Sequence, residues 1–159
     1  MASIRKPERH HGLAAMLCLA ATILCLALSA VPLAADAQDR YPVDWQAVET
    51  ESLEHFSALL RIDTSNPPGN ETEAARYLQG VLQQGGIDSE LFALDPTRAN
   101  LVARLRGNGS KRPILVMAHT DVVGAQRENW SVDPFGAVVR DGYIYGRGSL
   151  DDKDNVTAG

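Results

Sequence analysis

Residues 114–118, Ile-Leu-Val-Met-Ala, carry no polar side chain and run directly into His119. A strand that is apolar at every position, and not at every second one, needs cover on both faces, which is the condition of a central strand in a layered α/β domain. This stretch therefore predicts a sheet with helices packed on it. It also places His119 at the carboxyl end of a buried strand, where ligand sites of α/β sheets gather.

The flanking sequence supplies the other layers. Between Asp44 and Arg61, apolar residues fall at Trp45, Val48, Leu53, Phe56, Leu59 and Leu60, the spacing of one face of an amphipathic helix. Ile62-Asp63-Thr64-Ser65-Asn66-Pro67-Pro68-Gly69 breaks that periodicity and predicts a loop. A second helix is expected from Asn70 as cap, with Glu73 three residues on, through Ala74, Tyr77, Leu78, Val81 and Leu82 to a stop at Gly85-Gly86. Ser89 to Leu94 and Asn100 to Arg106 read as further strands. Ala137-Val138-Val139 and Tyr143-Ile144-Tyr145 flank Asp141-Gly142, a dipeptide suited to a tight primed turn because both of its residues tolerate positive φ.

Residues 1–37 read as an export signal. Arg5, Lys6 and Arg9 precede an apolar core from Leu13 to Leu33, and Ala35-Asp36-Ala37 offers the small-x-small pattern of a cleavage site. The same core is long enough to cross a bilayer, so an uncleaved anchor is the alternative, and membrane contact is expected only in that case. Either way the protein is exported, to a periplasm or to the medium. Both cysteines, Cys18 and Cys25, lie in this core, so residues 38–159 hold no thiol for a disulfide or a zinc-thiolate site, and any metal there is left to histidine and carboxylates. Taking residues 1–37 from the chain's 15 basic and 20 acidic groups leaves 12 and 18, a net charge of −6. A surface of that sign repels phosphate backbones and argues against a nucleic-acid partner.

Two clusters carry chemistry. His119 and Asp121 stand two apart in an extended segment, so both side chains face the same way and Asp121 can reach the imidazole. A carboxylate in that place fixes the ring tautomer and raises the basicity of the other nitrogen, as behind a zinc-bound histidine. On its own, H-x-D at a strand end is more often a histidine merely satisfied by its neighbour. Asp151 and Asp152 follow Gly146-Arg147-Gly148, where two glycines permit a sharp turn. Adjacent carboxylates repel unless a cation or solvent compensates them, and an acidic helix start near Lys153 explains them equally well.

Taken together, TSNPPGNE (Thr64 to Glu71), LVMAHTDVV (Leu115 to Val123), NWSVDPF (Asn129 to Phe135) and DGYIYGRGSLDDK (Asp141 to Lys153) resemble the co-catalytic zinc hydrolases that include glutamate carboxypeptidase, acetylornithine deacetylase, succinyl-diaminopimelate desuccinylase, aminoacylase and carnosinase. The four blocks occur in the family's order and span most of residues 38–159. The resemblance implies an α/β fold, the amino-terminal part of a mixed-sheet catalytic domain with helices on the sheet, without the second domain that serves as lid and dimer contact. It implies His119 as terminal ligand of one zinc, Asp151 as the carboxylate bridging two, Asp121 as the catalytic aspartate that orients His119, and a cis peptide between Asp151 and Asp152. Arg147 and Lys153 match motif positions without an assigned role, Asp154 stands where many relatives have glycine, and His55 reads as surface or packing.

The chemistry so implied is hydrolysis of peptide or N-acyl-amino-acid amide bonds by a water activated between two Zn2+ ions, with Co2+ or Mn2+ as compatible substitutes. The partner is thus a peptide or an N-acyl-amino acid, and the full-length protein is expected to form a homodimer. In the family the glutamate general base and the remaining ligands lie downstream of the DDK motif. Residues 38–159 accordingly read as the amino-terminal portion of a longer enzyme, incomplete by itself. The alternative from another class is an exported binding module that keeps the fold without turnover.

Overall fold

The computed structural model describes residues 42–159, and the expected signal at residues 1–37 lies outside them. Helix α1 spans Trp45–Arg61. It begins at Asp44 because that carboxylate accepts hydrogen bonds from the backbone N–H groups of Gln46 and Ala47, both at 3.1 Å, occupying donors that a helix start leaves free. Leu59 and Leu60 are fully buried, whereas Trp45, Val48 and Leu53 are 73%, 41% and 47% exposed. The expected apolar face is therefore covered only over its last turns. The cause lies in its partner: α1 packs on helix α3, Lys153–Ala158, whose six residues are about 9 Å long and cannot shield a helix nearly three times that length.

Helix α2, Glu71–Gln84, follows the loop and ends at Gly85 and Gly86, the latter at φ +71°. Asn70 occupies the cap position, but its amide makes no cap bond to the backbone and instead donates to the Glu73 carboxylate at 2.7 Å. The capping box thus closes between side chains. Ala74 and Ala75 are buried on the side where α2 packs on a two-stranded antiparallel sheet of β1, Ser89–Phe92, and β2, Asn100–Ala103, with Leu91 opposite Leu101. Two polar contacts tie the loop between these strands to the start of α2. The Thr72 hydroxyl donates to the Pro96 carbonyl at 2.8 Å and accepts the Ala99 N–H at 2.9 Å, and Arg98 grips the buried Glu71 carboxylate through Nε at 3.1 Å and Nη2 at 2.9 Å.

The second sheet is the expected hairpin. Strands β3, Val138–Arg140, and β4, Tyr143–Tyr145, pair antiparallel about Asp141 at φ 53° and Gly142 at φ 79°, and two successive positive φ values are what a primed two-residue turn requires. Helices packed on sheet strands give the α/β class read from the sequence. No second domain is present among the described residues.

One element differs from expectation. Residues 114–118 join no strand, and Ile114, Leu115, Val116 and Met117 are 87%, 81%, 64% and 78% exposed. A strand exists only through its neighbours' hydrogen bonds, and among the described residues β1 pairs with β2 alone and β3 with β4 alone. The apolar run encodes a covered position whose cover the described residues do not contain. Strand β2 likewise ends at Ala103, short of Arg106.

The polar centre of the α1–α3 contact is Lys153, whose side chain is wholly buried. Its Nζ donates to the carbonyls of Leu59 at 2.9 Å and Ile62 at 2.7 Å at the C-terminal end of α1, where the Leu59 carbonyl also accepts the Ile62 N–H at 3.2 Å. Burial pushes the Lys153 ammonium down to about 8, with the Asp63 carboxylate pulling the other way.

Two predictions follow from this packing. Thr72→Val keeps the volume but orphans the Ala99 N–H and the Pro96 carbonyl, and should lower the unfolding free energy by about 1–3 kcal/mol in urea titration. Lys153 binds its proton less tightly folded than unfolded, so between pH 8 and 10.5 the unfolded chain holds more protons and stability rises with pH. Unfolding free energies of the wild type should therefore climb relative to Lys153→Met across that window, by up to about 3 kcal/mol. Parallel curves for the two proteins would refute the buried cation.

Candidate functional site

The site is assembled around the segment that leaves α1. After Arg61 the chain runs extended, and Thr64 to Asn66 lies parallel to Thr120–Val122 through a bridge between Ser65 and Val122. Val122 N–H donates to the Thr64 carbonyl at 3.1 Å, Asn66 N–H donates to the Val122 carbonyl at 2.9 Å, and the buried Thr64 hydroxyl donates to the Thr120 carbonyl at 2.5 Å. These bonds fix the backbone on both sides of Asp121. Val122 in turn packs beneath the Gly146–Gly148 turn so closely that a Cβ on Gly148 would lie 2.6 Å from Val122 Cγ1, and Gly148 adopts φ +86°. Only glycine fits there, and the turn delivers Asp151 and Asp152 against His119.

His119 stands between two carboxylates. Its Nδ1 is 3.1 Å from Asp121 Oδ1 and 3.2 Å from the Asp121 carbonyl, and its Nε2 is 3.0 Å from Asp151 Oδ1. Its backbone N–H donates to Asp152 Oδ2 at 3.1 Å. The far oxygen of Asp121 accepts from the Asn66 amide at 3.4 Å. The three residues singled out in the sequence are thus brought together, and the cis peptide expected between Asp151 and Asp152 is present. His119 and Asp121 are half-exposed, while the Asp151 side chain is 84% exposed and has no hydrogen bond to any described residue besides His119.

Electrostatics follow from this placement. Burial alone would lower the His119 pKa, but the Asp121 carbonyl and the charges of Asp121, Asp151 and Asp152 outweigh it and raise the imidazole above its usual value. The Asp152 carboxyl is held low, first by the Asn155 side-chain amide and then by the His119 N–H.

A metal fits the donor set in part. His119 Nε2 and Asp151 Oδ1 converge from two loops as one imidazole nitrogen and one accessible carboxylate, the ligand types that zinc takes when no thiol is at hand. Asp121 stands on the opposite ring nitrogen, where it would orient the histidine and not compete for the ion. Among the described residues no group of three or more histidines, cysteines and acids converges on one point, so these two would form only part of a ligand set.

Sequence reasoning left several contacts unassigned. Asp152, weighed as a helix cap, makes no side-chain cap bond to α3 and instead holds the His119 backbone and the Asn155 amide. Asn66 and Lys153 lie in recognised motif blocks, but their partners are 55 or more positions away, beyond the reach of local spacing. Arg147 stacks over Trp130 at 5.3 Å, away from any carboxylate contact. His55 bonds Tyr77 of α2 at 2.7 Å and faces Glu51 at 3.6 Å, which fits its reading as a packing residue.

Comparison with known proteins agrees with the site's position in the chain. A sequence model described as Peptidase family M20/M25/M40 matches residues 115–159, the stretch holding His119, Asp121 and Asp151. The chain is 35% identical over 112 residues to a probable succinyl-diaminopimelate desuccinylase of Staphylococcus epidermidis, an alignment covering 69% of this chain and 26% of that protein. It is 36% identical over 112 residues to the protein of the same description in Staphylococcus aureus, covering 69% of this chain and 27% of the other. Over 49 residues it is 59% identical to the human N-fatty-acyl-amino acid synthase/hydrolase PM20D1, covering 31% of this chain and 10% of that one. The chain spans about a quarter of the length of the bacterial relatives it matches. On these matches the chain belongs to peptidase family M20/M25/M40.

Proposed function

We propose that this chain contributes one half of the metal site of an exported hydrolase of peptide or N-acyl-amino-acid amide bonds. The observation that carries the reading is the contact of His119 Nε2 with Asp151 Oδ1 at 3.0 Å, with Asp121 behind the other ring nitrogen. His119 and Asp151 are the residues that would hold the metal. The relatives' names, a succinyl-diaminopimelate desuccinylase and an N-fatty-acyl-amino acid synthase/hydrolase, both concern a bond between an acyl group and nitrogen.

The residues present have defined parts in such a reaction. Two divalent ions, Zn2+ being best suited to imidazole and carboxylate, would lower the pKa of a shared water and polarise the amide carbonyl. Asp121 accepts the Nδ1 proton of His119, which would leave Nε2 to the metal when it is bound, and Asn66 holds the second oxygen of Asp121. Asp152 keeps the His119 backbone in register by accepting its N–H. A proton acceptor for the attacking water is assigned to neither Asp121 nor Asp151, since both are engaged by His119; the resemblance places a glutamate for that task downstream of Lys153. Export rests on the signal-like residues 1–37.

The test uses the chain together with the sequence that follows Gly159 in its reading frame. Purified protein should carry two zinc ions per chain and hydrolyse N-acyl-amino acids or dipeptides. His119→Ala should lose zinc and turnover together, and Asp121→Asn should weaken zinc binding or activity about 10- to 100-fold. A protein that binds no metal and turns over no amide, in spite of an intact fold, would instead be the non-catalytic binding module.

A further inference from the structure

We propose that Lys153 is the positioning residue that sets the separation of His119 from Asp151, closing a ring of hydrogen bonds that runs through the end of α1. The inference deepens the metal-site reading above and rests on it.

The ring can be followed bond by bond. From Asp151 the chain passes two residues to Lys153, whose ammonium donates to the Leu59 and Ile62 carbonyls at 2.9 and 2.7 Å. Two residues past Ile62, Thr64 holds the Thr120 carbonyl through its hydroxyl and the Val122 N–H through its carbonyl, at 2.5 and 3.1 Å. Thr120 is bonded covalently to His119, and His119 Nε2 returns to Asp151 at 3.0 Å. A second strut braces the ring. The Lys153 N–H donates to the Gly148 carbonyl at 3.0 Å, and the Lys153 stem lies under Gly148 beside the buried Val122.

Each half of the ligand pair thus hangs from the same turn of α1. Asp151 is attached through Lys153, and His119 through Thr64. The other contact of the Asp151 turn with that helix is apolar, Leu60 against Gly146, while Asp151 itself is 84% exposed and the apolar residues before His119 join no described strand. A lysine with both partners on the main chain and no solvent contact does not touch substrate or metal, so its influence on them is geometric. Methionine would fill a similar volume, strip the Ile62 carbonyl of its donor and leave the Leu59 carbonyl with the Ile62 N–H alone, freeing the Asp151 loop to shift against α1.

The decisive comparison is Co2+ affinity and the visible Co2+ spectrum of the full-length protein in four forms: wild type, Lys153→Met, Thr64→Val and Thr72→Val, each at a temperature where circular dichroism shows it folded. Lys153→Met removes the ammonium side of the ring and Thr64→Val the hydroxyl bond on the opposite side, and each should weaken Co2+ binding about 10- to 100-fold, the range seen when a support behind a metal ligand is removed. Thr72→Val, destabilised but outside the ring, should bind as wild type does. A second readout needs no metal: in 15N-histidine spectra the His119 ring protons bonded to Asp121 and Asp151 should lose the Asp151 bond in Lys153→Met. Should Lys153→Met not fold, Thr64→Val decides by the same two readouts. Wild-type affinity and an unchanged His119 signal in the ring variants would overturn the inference. If the wild type itself takes up no Co2+, the metal-site reading fails, and the metal-free His119 signal still settles the role of Lys153.

Discussion

A buried ammonium bonded to two main-chain carbonyls is the interaction on which the site's surroundings depend. Helix α1 must end at Arg61 for the chain to run extended into Thr64, and a helix end leaves carbonyls facing a partly buried environment. Lys153 meets two of them with a full charge at the negative end of the helix, an arrangement in which the dipole favours the cation. The same side chain supplies the floor for Gly148 and anchors α3, a helix of six residues too short to persist by its own propensity. One residue thus joins the C-terminal end of α1, the glycine turn and α3, adding a polar tie to the packing of Leu60 beneath Gly146.

Much of this architecture was legible where the determinant is local. The Asp44 start of α1, the glycine stop of α2 and the Asp141-Gly142 turn all follow from backbone preferences that a few adjacent residues express. What depends on distant partners was not legible. The run at 114–118 reads as a covered strand, yet its apolar residues stand exposed, because hydrophobicity records the environment a segment suits and not the segment that provides it. Trp45, Val48 and Leu53 show the same limit: their spacing marks one helix face, but α3 covers only the end of that face.

The site divides along the same line. Asp121 reaching His119 follows from the two-residue period of extended backbone. Asp151 reaching His119 from the other side follows from nothing local, and came from the resemblance of the motif blocks. The roles of Asp152 and Lys153 required coordinates, since the His119 N–H and the Leu59 and Ile62 carbonyls are backbone atoms and carry no side-chain signature in a sequence. Backbone partners of buried charges are the class of contact that motif reading misses most readily.

The charge pattern at His119 explains why such supports are needed. Asp121, Asp151 and Asp152 bring three carboxylates to one imidazole, an excess of negative charge that repels itself unless offset. Asp152 is offset by an N–H and an amide, and Asp121 by the His119 ring and Asn66. Asp151 has only the imidazole and solvent. Without a metal, a proton on Nε2 holds the pair together, consistent with the raised pKa of His119; a divalent cation would take that proton's place and supply more charge. Left to electrostatics alone, Asp151 would remain equally content in water, because exposed ion pairs are worth little. Its position beside His119 is therefore a property of the backbone that carries it, and that backbone is tied down at Lys153.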